Sequence, residues 1–156
     1  MSATDNLPVS YIEPSGVLTP AAAMIGMTAA LKTAAQAKWE VTVCICDAGG
    51  VPIHVQRTAN AFPASYDIAC GKAKSAALFR KETGLLEDSV NGGRSALLSS
   101  PFVLMRGGIP VLWNNGTQAC GAVGVSGVQA DQDETVARAA VDAMTAAFSM
   151  SSRSKL

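Results

Sequence analysis

The sequence predicts an α+β domain, an antiparallel sheet of about five strands with helices packed on it. Three observations carry this. An apolar run from Ile109 to Trp113 meets Asn115-Gly116 and then a glycine- and valine-rich run that reaches Gly127. Asn-Gly between two apolar runs is the strongest short-range hairpin signal, because both residues tolerate positive φ. Glu40 to Asp47 and Val51 to Arg57 form a second pair of extended runs, joined by the turn Asp47-Ala48-Gly49-Gly50. Helical periodicity appears before, between and after these hairpins, not in regular alternation with single strands, so a doubly wound parallel sheet is not expected. The domain spans residues 18–148, after an irregular N-terminal arm over 1–17 and before a loose tail over 149–156.

Each element has its own signal. Thr19 and Pro20 open the first helix, since threonine caps free N–H groups and proline is preorganised at the first helical position. Met24, Met27, Leu31 and Ala34–Ala35 supply its apolar stripe, ending near Lys38. In the next strand Val41, Val43 and Ile45 share one face, and Thr42, Cys44 and Cys46 the other. Both faces are apolar or small, which predicts cover on both sides. The returning strand puts Val51, Ile53, Val55 and Arg57 on one face, with His54 and Gln56 on the other. Pro63 opens a second helix running to about Glu82, a shorter helical piece covers Leu85 to Val90, and Asn91-Gly92-Gly93 breaks it. Phe102 to Met105 reads as a third strand, followed by the glycine-rich hairpin. Asp131 and Glu134 resemble a capping pair for the last helix, whose buried stripe is Val136, Ala140, Ala143, Met144 and Ala147. Gly121, Gly124 and Gly127 inside a strand imply a bulge, or close approach by another backbone or a ligand.

At 156 residues the chain suits one domain able to bury roughly 68–70% of its unfolded surface. Twelve basic and twelve acidic residues cancel, and the charged fraction is 15%, against a usual value of about 25%. Nucleic acid requires a basic footprint, so it is excluded as a partner. No basic run suggests an anionic membrane surface. So little charge, with few aromatics, points to a homo-oligomer that hides surface against itself. The first residues lack a signal-peptide pattern, and no stretch reaches about 18 uninterrupted apolar residues, so a cytoplasmic location and no membrane span are expected. Cys44, Cys46, Cys70 and Cys120 are expected as free thiols in a reducing compartment.

Few residues offer chemistry. Lys72 shares a helical face with Ile68, Ser75 and Phe79. It is either an anion-binding group or base, or a lysine whose stem snorkels at the core edge. Lys74 and Lys81 point elsewhere and are expected in solvent. Arg57 ends its strand and can hold a carboxylate by two parallel bonds, or it forms a structural ion pair with Asp67 or Asp133. Arg106 before Gly107-Gly108 has a similar but weaker claim. His54 is the single histidine, which rules out a multi-histidine zinc or iron centre. It is a candidate axial heme ligand or proton shuttle, or simply a hydrogen-bonded strand residue. Cys44 and Cys46 read as core, and Cys120 as a nucleophile candidate without an adjacent histidine. Gly124-Val125-Ser126-Gly127 precedes a helix whose N-terminal N–H groups can hold an anion. Asp133 lies in that helix's first turn, where complementing the dipole is the ordinary role.

Taken in order, Asp47-x-x-Gly50, Arg57, Ile68-Ala69-x-x-Lys72-Ala73-x-Ser75-Ala76, Gly107-Gly108-x-Pro110 and Gly121-Ala122-x-Gly124-Val125-Ser126-Gly127 with Asp133 resemble the GlcG/HbpS-like family. That family also supplies the C-terminal domain of PduO-type proteins. The resemblance covers about residues 18–148. It implies a profilin-like arrangement, assembly into homo-oligomers and, for some members, heme as cofactor. Two function classes follow. One is an oligomeric cytoplasmic module binding heme or a related flat, carboxylate-bearing ligand through Arg57, Lys72, Ser75, Gly124, Val125, Ser126 and Gly127, with His54 as candidate axial ligand. The other is a metal-independent catabolic enzyme (isomerase, hydratase or hydrolase) acting on a small organic acid, with Lys72 and Asp133 as base and acid and Arg57 as the substrate anchor. A structural partner without a ligand is the third alternative.

Overall fold

The computed structural model describes residues 16–153. The arm expected over 1–17 therefore lies outside the described residues as far as Ser15. Helix α1 (Pro20–Ala37) starts as its sequence dictates: Thr19 is the N-cap, accepting a hydrogen bond from Ala22 N–H, and Pro20 follows it. It ends at Lys38, in the left-handed conformation, with its N–H returned to the last turn. The buried stripe differs in part from the expected one. Met27 and Ala34 face inward, but Met24 is 52% exposed and Ala23, Gly26 and Ala30 fill the seam instead. Small residues win there because α1 packs against another helix; a Cβ on Gly26 would meet the Met144 side chain.

Four strands form one antiparallel sheet: β1 (Thr42–Asp47), β2 (Pro52–Arg57), β3 (Gly108–Trp113) and β4 (Gln118–Ser126), in the order β2-β1-β4-β3. The count is four, not five. The segment 102–105, expected as a strand, is irregular. It folds over the second helix instead of pairing: Val103 rests on Gly71, and Phe102 meets Phe79 edge-on with ring centroids 5.2 Å apart. Gly107, at φ +117°, separates it from β3.

The remaining helices are α2 (Ser65–Phe79), α3 (Thr83–Asn91) and α4 (Ala130–Arg153), with a short 3₁₀ turn over Ser95–Ser99. Helix α4 runs into the stretch expected as a tail. Its start is held by Gln132 and Asp133, whose side chains accept from Gln129 N–H and Val128 N–H. Glu134 is not the capping partner: it pairs with Arg106 and Arg138.

Helices cover both faces of the sheet. On one, α1 and α4 enclose Val41, Val43, Ile45, Val123 and Val125. On the other, α2 lies on Cys44, Cys46 and Ala122 through Ala69, Ala73 and Ala76. This is why β1 is buried on both sides, as its pattern predicts. A register irregularity between Ile45 and Cys46 turns Ile53 towards the α1/α4 core, while Val55 stays on the α2 face opposite Cys44.

The β3–β4 turn uses the expected chemistry one residue early. Asn114 and Asn115 have φ of 51° and 56°, and Gly116 N–H bonds Trp113 O at 3.1 Å. Asparagine is the best non-glycine residue for that conformation, so Asn114-Asn115 takes the central positions and Gly116 follows.

Candidate functional site

Lys72 is the starting point. Its helix places it against the sheet, 1% exposed, and its four-carbon stem carries the ammonium past the end of β4. There Nζ donates to Val125 O and to Asp133 Oδ2, each at 2.9 Å. Asp133 comes from α4 on the opposite face of the sheet, its side chain only 4% exposed. Its other oxygen accepts from Val128 N–H at 3.2 Å. Burial pushes the Asp133 carboxyl above its ordinary range, a cost that the Lys72 ammonium only partly offsets. The pair thus clips α2 to α4 around the end of β4, an inner strand of the sheet.

Gly107 makes the clip possible. A Cβ at that position would lie 2.9 Å from Val125 O, 3.0 Å from the Asp133 Cβ and 3.0 Å from Lys72 Nζ. The left-handed backbone and the missing side chain are therefore both used. Sequence reasoning named the Gly107-Gly108 motif without giving it this role; the signal was the doubled glycine just before an apolar strand.

The glycines of β4 are also explained by close approach, and the approaching group is backbone. A Cβ on Gly124 would collide with Ala69 O and Ala73 N of α2. Val125 and Ser126 are buried in the sheet. Ser75 donates to Gly71 O within its own helix at 2.8 Å. Lys72, Val125 and Asp133 are thus brought together, with Gly124 beneath the same helix.

Arg57 lies elsewhere. In register it stands opposite Thr42, which stands opposite Ser126, so these three residues share a row across the sheet. Thr42 and Ser65 hydroxyls meet at 2.7 Å on that side. Arg57 is exposed and donates to Ala61 O at 2.8 Å; among the described residues no ion pair to Asp67 or Asp133 occurs. His54 pairs with Ile45 and so points to the opposite face from Arg57, half-buried. Arg106 has three acidic partners, Glu87, Asp88 and Glu134, with contacts from 2.8 to 3.6 Å. Cys120 is buried, its thiol within reach of Val111 O, and burial raises its pKa, so it is a protonated thiol.

A concavity lies at the other end of the sheet from Arg57. It is an open groove of about 870 Å³ between the β3–β4 turn and the end of α4. Leu18, Trp113 and Phe148 give it apolar walls; Asn114, Asn115 and Thr145 give it neutral polar groups. No lysine, arginine or histidine lines it among the described residues. Sequence reasoning missed it, because its wall combines a strand end, a turn and a helix end that no periodicity links.

Fold and site together define a small α+β domain: a four-stranded antiparallel sheet between helices, tied by a buried lysine–aspartate clip, with an aromatic groove at one end. The family model of the haem degrading protein HbpS-like family matches residues 18–142, and the chain belongs to that family. Protein GlcG of Escherichia coli K12 is 38% identical over 89 residues, 56% of this chain. That match spans 65% of GlcG, just under two thirds of its length. Among solved structures, Klebsiella pneumoniae protein ORFY is similar at a TM-score of 0.81 and 31% identity, covering 88% of this chain and 97% of that one. A PduOC:heme complex is similar at 0.72 and 30%, covering 82% and 95%. The expected α+β architecture and the family resemblance are both met. No described helix is long and apolar enough to cross a membrane.

Proposed function

We propose that this chain is a small-molecule-binding module whose ligand is a flat, largely apolar molecule of the heme class, taken in the groove walled by Trp113, Phe148 and Leu18. The groove itself carries the reading: at about 870 Å³ it lies within the range of roughly 300–1,000 Å³ for ligand sites. The similar PduOC structure, a heme complex, supports the ligand class.

The residues fit one part of heme. The aromatic and aliphatic wall suits the face of a porphyrin, and the Asn114 and Asn115 amides suit its carboxylates. Among the described residues no histidine lines the groove, and its Cys120 thiol is buried against Val111 O. The proposal therefore rests on the organic body of the ligand. Lys72 and Asp133 already neutralise each other out of solvent, which leaves a substrate no approach to them. The binding reading is favoured over the catalytic one for this reason. Arg57 keeps donors in solvent but stands at the opposite end of the sheet, outside this groove.

Self-association accompanies the proposal. Leu98 and Met105 are 66% and 48% exposed at a shallow apolar hollow beside α3, surface that oligomers characteristically cover.

The test is titration with hemin and, separately, with iron-free protoporphyrin, following the Soret band and tryptophan fluorescence. Saturable binding of both is expected, weakened about tenfold or more by Trp113→Ala together with Phe148→Ala. No saturable binding, or binding that the double variant leaves unchanged, refutes the assignment.

A further inference from the structure

We infer that Cys44 and Cys70 form a modification site, a dithiol that a hydroperoxide converts into an intramolecular disulfide joining α2 to β1. Cys44 is fully buried in the centre of β1, while Cys70 lies on α2, packs against the same cluster and is partly accessible. The Cys70 thiol packs on the cluster that holds Cys44 and stands close enough to act electrostatically on it, more strongly than Cys46 does. That contact depends on how closely the helix sits. Gly124 is the register partner of Cys44, and the Ala69 carbonyl of α2 occupies the space a Cβ on Gly124 would need. With helix backbone lying directly on the sheet, two short cysteine side chains can span the gap, as a disulfide requires. Cys46 lies nearby on the same face of β1, but its thiol engages the Ala122 backbone and its burial pushes the pKa to about 12. Cys120 is in the other core.

The two thiols have different access, which sets their roles. Cys70 is the entry point. It is partly exposed, and on its helix Tyr66 lies one turn earlier and Lys74 one turn later on the same side. Burial holds Cys44 firmly protonated, so it does not meet oxidants itself. In the first step the Cys70 sulfur, having lost its proton to solvent, attacks the distal oxygen of the hydroperoxide. The O–O bond breaks, the alcohol or water leaves with a proton, and Cys70 becomes a sulfenic acid. In the second step the Cys44 sulfur bonds to the Cys70 sulfur, the S–O bond breaks, and the Cys44 proton departs with the hydroxyl as water. Overall two thiols and one hydroperoxide give one disulfide, one alcohol (or water) and one further water. Both sulfurs are oxidised by one electron each, and the peroxide is reduced by two.

The experiment uses the folded full chain. It is exposed to limiting hydrogen peroxide, the peroxide is removed, and the protein is then unfolded in denaturant containing an alkylating agent and digested without reduction for peptide mass mapping. A Cys44–Cys70 linked peptide is expected, with Cys46 and Cys120 still alkylated and full reversal by dithiothreitol. Cys44→Ser should leave Cys70 as a sulfenic acid trapped by dimedone, and Cys46→Ser should leave the link unchanged. The inference is overturned if Cys70 proceeds to sulfinic acid or links two molecules while Cys44 stays alkylatable, or if the link joins Cys46. The wild-type map alone decides if a variant does not fold.

Discussion

Replacing Lys72 by methionine preserves most of the stem volume and removes one charge from the buried clip. Asp133 Oδ2 and Val125 O then both lose their donor, and Asp133 keeps only the bond from Val128 N–H. Breaking a buried ion pair at one end costs about 3–5 kcal/mol, because an uncompensated charge is left in the interior. Against a total stability of roughly 5–15 kcal/mol this is about a fifth or more of the fold. With an m-value of about 2 kcal/mol/M, the urea midpoint should fall by about 2 M. Adding Asp133→Leu should recover most of the loss, since no charge is then stranded. About 1 kcal/mol should remain missing, for the hydrogen bond to Val128. The loss should also depend on pH. In the Lys72→Met protein the Asp133 carboxyl, already raised in the native fold, rises further above its ordinary value of 3.8. The native state then binds the proton more tightly than the unfolded chain. Stability is retained below that value and lost as pH rises through the native pKa. The gap between wild type and variant is therefore small in acid and largest at neutral pH. Urea unfolding followed by circular dichroism at several pH values tests this. A cost under about 1 kcal/mol at pH 7, or a double variant as unstable as the sum of the singles, would show that the clip is not a desolvated pair.

Other expectations follow from the same geometry. Gly124→Ala should destabilise by about 1–3 kcal/mol, because its methyl must displace helix backbone and not a flexible side chain; thermal unfolding measures it, and a change within about 0.5 kcal/mol would refute the contact. Arg57→Ala should leave stability within about 0.5 kcal/mol, as for an exposed residue with one hydrogen bond, and should leave porphyrin affinity unchanged; a large loss of affinity would move the ligand away from the groove. Arg106→Ala removes a partly exposed network of three carboxylates, and should cost about 1 kcal/mol at low salt and less at high salt. A cost that salt does not alter would assign the effect to the Arg106 stem lying over Gly84 instead.

Much of the fold was legible because it depends on local rules. Thr19-Pro20 starts α1 through capping and a fixed φ. The 42–47 alternation, small or apolar on both faces, announces a strand covered twice. Where the reading departed from the structure, a tertiary contact prevailed over a local pattern. The run 102–105 has strand-like residues, yet it lies on α2 because Gly71 leaves room for Val103. Met24 belongs to a helical stripe by spacing, yet the helix rotates so that alanines and Gly26 meet α4. Glu134 stands at capping distance from Asp131, yet Arg106 from the loop before β3 and Arg138 one turn later in α4 claim it.

The candidate site divides in the same way. By itself the sequence determined which residues carry unusual potential, Lys72, Asp133, Arg57 and the glycines of the second hairpin, and to which family they belong. These are properties of residue type and spacing, which the linear chain records. Only the tertiary structure decided which of them meet. Lys72 and Asp133 are 61 positions apart and on helices covering opposite faces, joined around the end of β4 where Gly107 leaves space. Arg57, nearer to Lys72 in the chain, ends in a separate row with Thr42. The glycines of β4 admit helix backbone, and the aromatic groove arises where three chain segments end together. Distances across a sheet are set by register and by how closely helices can approach. Those depend on the whole packed core, not on any one segment.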